Sequence, residues 1–179
     1  MASCLAVMGI IWLVITNLAI IICFSTPFWM EDYMINLINN EGLWAKCGIS
    51  SCVWFFEDDF ALEETKPVWF KAVQALVAVG LGCGLLALLF ATCSLCCETK
   101  RCNLSAAIST VLILAFLCIG IAIIVYGAKA NSEYGVNIGL KMNMGRKFGW
   151  SFWLGVVSAA LILLTSTMYA CDCKRRPGV

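Results

Sequence analysis

Residues 102–128 read CNLSAAISTVLILAFLCIGIAIIVYGA, without one Asp, Glu, Lys or Arg. A helix rises 1.5 Å per residue and the hydrocarbon core of a bilayer is about 30 Å thick, so about 20 apolar residues suffice to cross it. This stretch is long enough, and it has no alternation of the kind a barrel strand needs. Working outward, three more stretches lack charge: Met1–Met30, Ala72–Cys97 and Phe148–Cys171. Lipid tolerates only helices or closed barrels. The sequence therefore predicts an all-α membrane protein with four transmembrane helices.

The composition agrees. Apolar residues make up 62% of the 179-residue chain and charged residues 13%, where a soluble domain is near half apolar and about a quarter charged. Mean hydropathy is +0.92. The formal net charge of +1 gives no electrostatic case for a nucleic-acid partner; the bilayer is the expected surroundings. The first stretch has no basic residue before Lys46 and is longer than the apolar region of a signal peptide, so it is expected to be retained as a helix. We expect one unit, 1–179, with helices over about 5–26, 70–96, 104–127 and 149–171. Outer loops then cover about 27–69 and 128–148, a short inner loop about 97–103, and a tail 172–179.

The count of Lys and Arg does not orient the chain, because five fall on the side of the short loop and tail and seven on the other. Aromatics and cysteines do better. Trp29, Trp44, Trp54, Trp69, Trp150 and Trp153 lie in or beside the two larger loops, as an interfacial belt would. Those loops hold only Cys47 and Cys52, whereas Cys93, Cys96, Cys97, Cys102, Cys171 and Cys173 crowd the opposite side. One pair in an oxidising space and unpaired thiols in a reducing one is the simplest reading. It places both termini in the cytosol of a multi-pass plasma-membrane protein.

The first outer loop carries Trp29, then Gly42-Leu43-Trp44, then Cys47 and Cys52. This order resembles the signature of the claudin-like tetraspan superfamily: claudins, peripheral myelin and epithelial membrane proteins, and calcium-channel γ subunits. Phe148-Gly149-Trp150-Ser151-Phe152-Trp153 resembles the matching entry into the fourth helix. The resemblance implies a left-handed four-helix bundle with a small extracellular antiparallel sheet, mostly from the first loop, and a disulfide between Cys47 and Cys52. Locally, Val53-Trp54-Phe55-Phe56 is β-favouring and Asn39-Asn40-Glu41-Gly42 is turn-like. Where claudins usually have an Arg early in the second helix, this chain has Gln74.

No catalytic residue, cofactor or metal is expected. The chain has no histidine, which removes both His-activated nucleophiles and His ligands. Glu57, Asp58 and Asp59 lack the spacing of a calcium loop, and read as solvated or as a bias on ion selectivity. Juxtamembrane Cys96, Cys97, Cys171 and Cys173 are candidates for reversible acylation, as the claudin resemblance also suggests. They also read as plain thiols. Gly80 and Gly84 form a Gly-x-x-x-Gly for close packing inside the bundle or for a dimer face, and Asn17 should find a hydrogen bond across helices. Val179 ends the chain in an apolar carboxylate of the kind PDZ domains take by strand addition, with Pro177 in place of the usual Ser or Thr.

Charge is segregated: residues 25–66 hold eight acids against two lysines, net −6, and residues 129–147 hold four bases against Glu133, net +3. The two loops can neutralise each other, leaving acid to face a partner or an ion path. The function this implies is non-enzymatic. Similarity to claudins implies a protein of cell–cell contacts that self-associates and forms or regulates an intercellular barrier or adhesion strand. The alternative is an auxiliary regulatory subunit of an ion channel or receptor, like the γ subunits. A third is a regulator of membrane organisation, closer to the epithelial membrane proteins.

Overall fold

The computed structural model describes residues 4–34, 37–48, 50–55, 66–96, 101–136 and 145–174. Helix α1 is Cys4–Ser25; strands β1 (Met30–Met34), β2 (Leu37–Glu41), β3 (Ala45–Cys47) and β4 (Cys52–Trp54) follow. Then come α2 (Val68–Cys96), α3 (Arg101–Tyr134), β5 (Arg146–Phe148) and α4 (Trp150–Lys174). Four helices are long and apolar enough to cross a membrane, over Val7–Ser25, Val68–Ser94, Leu104–Tyr134 and Trp150–Cys173.

The helices close a ring in which α1 packs on α2 and α4, and α3 on α2 and α4. Large aliphatic side chains such as Ile11, Leu18, Leu89, Ile124 and Val157 point outward. In lipid these gain nothing by pairing with one another, so packing falls to small and polar residues. Gly80 and Gly84 show this: a Cβ on Gly80 would stand 2.5 Å from Ile119 on α3, and one on Gly84 2.7 Å from Asn17 Oδ1 on α1. The Gly-x-x-x-Gly therefore serves the bundle interior. Asn17 Nδ2 donates to the Gly84 carbonyl at 3.2 Å, the expected bond across helices. Ser109 and Ser166 join α3 to α4, each hydroxyl 3.1 Å from the other residue's carbonyl.

Helix α3 runs to Tyr134, past the expected end near residue 127. Lys129 and Glu133, one turn apart, make an ion pair at 3.7 Å along it, so charged residues continue the helix instead of ending it. Gly135 ends it at φ 62°, its N–H donating to the Asn131 carbonyl. That left-handed cap suits a residue without Cβ.

At one end of the bundle the strands form one antiparallel sheet in the order β4-β3-β2-β1-β5. Four strands come from the first loop, and the fifth, from the second, was not anticipated. Two local expectations are corrected. Asn39, Asn40 and Glu41 do not turn; they pair with β1 on one side, and Asn40 and Glu41 with β3 on the other. Ladder bonds on both edges outweigh the turn preference of two asparagines, and the turn falls at Gly42–Trp44. Strand β4 ends at Trp54, with Phe55 turning into the core and Phe56 outside the described residues.

Candidate functional site

The sheet caps the bundle because the chain leaving α1 is tied back at once. Trp29 is buried and its indole N–H donates to the Cys23 carbonyl in the last turn of α1 at 2.7 Å. Its backbone N–H donates to the Glu41 carbonyl at 3.2 Å, and its carbonyl accepts from Gly149 at 3.0 Å. One residue thus joins α1, the sheet and the entrance to α4. The Phe28 carbonyl accepts from the Ser151 N–H at 3.1 Å, meeting one of the orphan donors at the start of α4. Thr26 and Ser151 hydroxyls are bonded at 2.6 Å.

The Gly42-Leu43-Trp44 turn follows from the same crowding. A Cβ on Gly42 would stand 2.5 Å from both Pro27 Cα and the Thr26 carbonyl oxygen. Leu43 is fully buried, and its carbonyl accepts from Gln74 Nε2 at 2.6 Å. Trp44 meets Phe24 with centroids 5.2 Å apart. Gln74 is thus the tie between the motif and α2, a role its sequence position did not disclose. Gln74→Leu leaves that carbonyl buried and unpaired, at a cost of about 1–3 kcal/mol. A lower thermal midpoint in detergent is the expected reading.

Beneath the turn lies an aromatic cluster centred on buried Tyr126, whose ring meets Trp29, Trp69, Phe70, Phe148 and Phe152. The interfacial-belt expectation is therefore only partly met. Trp54, Trp150 and Trp153 are exposed, but Trp29 is core, and Trp44 and Trp69 pack against it. Trp69 also donates to Glu133 at 2.8 Å.

Cys47 and Cys52 are joined as a disulfide between paired positions of β3 and β4. Cys47→Ser removes the covalent tie of the outermost strand pair, worth about 2 kcal/mol for so short a loop. The expected result is less protein at the cell surface by biotinylation, with retained protein inside the cell.

Charges at this end are paired across the two loops. On the β1–β5 ladder, Asp32 meets Arg146 at 2.9 Å and Glu31 meets Lys147 at 3.1 Å. Arg146 also lies over the Tyr134 ring at 4.9 Å. Lys66 pairs with Glu41, both largely shielded from solvent, and lies 5.0 Å from the centroids of Phe55 and Phe70. The neutralisation read from the sequence operates here. Glu57, Asp58 and Asp59 lie outside the described residues.

The opposite end brings fewer predicted residues together. Cys171 is exposed near the end of α4, and Cys93 near that of α2. Cys96 closes α2, its side chain not described, and Cys97 lies outside the described residues. Cys173 is disulfide-bonded, which corrects the expectation of a free thiol there: its sulfur has no thiol to accept an acyl group. Val179 is not among the described residues either. No group of three His, Cys, Asp or Glu among the described residues is placed to hold a metal.

A four-helix membrane bundle capped by a disulfide-pinned sheet, with Trp29 and Gly42-Leu43-Trp44 locking cap to bundle, defines a claudin-like tetraspan protein. The chain belongs to the PMP-22/EMP/MP20/Claudin family, whose model matches residues 1–169. No curated protein matches it.

Proposed function

We propose that this protein acts at the plasma membrane in cell–cell contacts, self-associating to form or regulate an intercellular barrier or adhesion strand. The observation that carries this reading is the cap. Both loops are built into one sheet by ladder bonds, two cross-loop ion pairs and a disulfide. A fixed sheet standing off the bilayer suits repeated contact with like surfaces better than transient capture of a ligand. In this reading the sheet faces the extracellular space and both termini the cytosol, as the claudin resemblance implies; disulfide bonding does not decide the orientation, because Cys173 at the opposite end is bonded as well as Cys47 and Cys52.

The test is immunolocalisation in a polarised epithelial monolayer, with affinity purification from the same cells. Staining along lateral junctions supports a contact role. Diffuse staining with stoichiometric recovery of a channel or receptor would replace it with the auxiliary-subunit role. If the protein lines an intercellular path, Glu57, Asp58 and Asp59 favour cations, as carboxylate rings do. At the other end, acylation is proposed for exposed Cys171 together with Cys96 and Cys97. Its effect is lateral sorting, since four spans need no further anchor. Hydroxylamine-dependent acyl exchange should label the wild type and fall in a Cys171→Ser variant.

A further inference from the structure

Sulfur is bonded at both ends of the bundle, and the two ends cannot meet the same redox conditions. Cys47 and Cys52 are joined on the sheet. Cys173 is bonded in the last turn of α4, at the opposite end. The plasma membrane separates an oxidising space from one where small thiols keep cysteines reduced. Whichever way the chain is inserted, one of these bonds faces the reducing side. The orientation proposed above puts Cys173 there.

Two observations separate this bond from the scaffold. First, α4 is seated without it. One turn before Cys173, the Tyr169 ring packs against α1 at Gly9, where a Cβ would stand 3.0 Å from Cζ. One turn earlier again, Ser166 exchanges hydroxyl-to-carbonyl bonds with Ser109 of α3 at 3.1 Å. Neither tie uses the cystine, and both Tyr169 and Asp172 are buried, so packing extends to the last turn. Second, the sulfur can be reached. Cys173 is half-buried, and Cys171, two residues before it, is an exposed free thiol. Lys174-Arg175-Arg176 follow in sequence, a cationic run that attracts a small anionic thiol such as glutathione.

We propose that the Cys173 disulfide is a reversible clasp on the inner end of α4, set by the cytosolic thiol pool, whereas Cys47–Cys52 is permanent. This rests on the orientation proposed above and not on a role at cell contacts. The structure records the closed form. Opening is thiol–disulfide exchange: a glutathione thiolate attacks one sulfur of the bond and expels the other as a thiolate, which takes a proton. A second glutathione attacks the mixed disulfide and expels the remaining protein thiolate, which is protonated in turn. The products are two protein thiols and one glutathione disulfide, the two electrons having come from the glutathione pair. Closing is the reverse, with glutathione disulfide as the oxidant.

The experiment uses the full chain in intact cells. An acid quench freezes the thiols, light N-ethylmaleimide blocks the free ones, and bonded ones are reduced and labelled with the heavy reagent. Peptides holding Cys173 are read by mass spectrometry, with fragment ions separating it from Cys171. In resting cells Cys173 should be mainly light. Diamide, which oxidises glutathione, should raise its heavy-to-light ratio about tenfold, the response to a shift of about 30 mV in the thiol pool. Washout should reverse the change, and Cys47 and Cys52 should stay heavy throughout. Cys173 bonded in resting cells and unmoved by diamide, or free under both conditions, overturns the clasp. So does an equal response at Cys47 and Cys52. Cys173→Ser should match wild type in surface biotinylation, because Ser166 and Tyr169 still seat α4; loss from the surface makes the bond a structural staple and overturns the proposal. A membrane-impermeant maleimide applied outside should not reach Cys173. Labelling from outside removes the orientation and the clasp with it, whereas failure with diamide alone removes the clasp and leaves the orientation.

Discussion

Gly149→Ala is expected to abolish most surface-exposed protein, although it adds one methyl group. The Cβ would stand 2.1 Å from the Phe28 carbonyl oxygen and 2.8 Å from its carbon. Neither is the end of a flexible side chain, so backbone must move. That carbonyl accepts the Ser151 N–H, and the Gly149 N–H itself donates to Trp29. Relief of the clash therefore breaks the bonds that seat α4 beneath the sheet, and shifts β5, whose Phe148 pairs with Met30. Overpacking alone costs about 1–3 kcal/mol; with the bonds lost, about 4 kcal/mol is expected, enough to unfold a marginally stable protein. Surface biotinylation and monodispersity in detergent are the measurements. Gly82→Ala is the matched control: a Cβ there meets nothing within 4 Å, and the change should be neutral or slightly stabilising. Equal behaviour of the two variants would refute the packing argument.

The bundle was legible because membrane helices announce themselves by composition. Length without charge is enough for existence and rough limits, and it misplaced only ends such as that of α3, where Lys129 and Glu133 lie on the helix. The cap was legible by resemblance, through Trp29, Gly42-Leu43-Trp44 and the two cysteines. What sequence reading missed were contacts between residues far apart in the chain. Gln74 on Leu43, 31 residues away, and Arg146 on Asp32, 114 away, leave no local pattern. The same holds for β5: Arg146–Phe148 is three residues long, too short to show alternation, and becomes a strand only because β1 offers a free edge. Asn39-Asn40 was misread for the opposite reason. Local turn chemistry was present, and pairing with two neighbouring strands overrode it.

The pairing also alters how the charge segregation should be understood. The surplus of acid in the first loop is not spread evenly. Its members in the strands are bound to bases of the second loop and to Lys66, so any charge left for a partner is concentrated in residues 57–64. A variant at Glu31 or Asp32 should disturb the joining of the loops, whereas one at Asp58 or Asp59 is the appropriate probe of partner or ion contact.

Lys66→Met is the second change from which a large effect is expected. Methionine keeps an unbranched apolar stem against Phe55 and Phe70 but removes the ammonium. Glu41 would then be left with its side chain 19% exposed and its cation gone. Stranding one member of a shielded pair costs about 3–5 kcal/mol, whereas replacing both with neutral groups is often close to neutral. The cation–π contacts, at 5.0 Å from each ring, add about 0.5–1 kcal/mol apiece to what Lys66 supplies. Thermal unfolding in detergent, followed by tryptophan fluorescence, should show Lys66→Met well below wild type. The Glu41→Gln/Lys66→Met double variant should stand above the Lys66→Met single. Raising salt from 50 to 500 mM should change the wild-type midpoint little, since pairs out of water are weakly screened. Strictly additive losses would mean that the two charges do not act together.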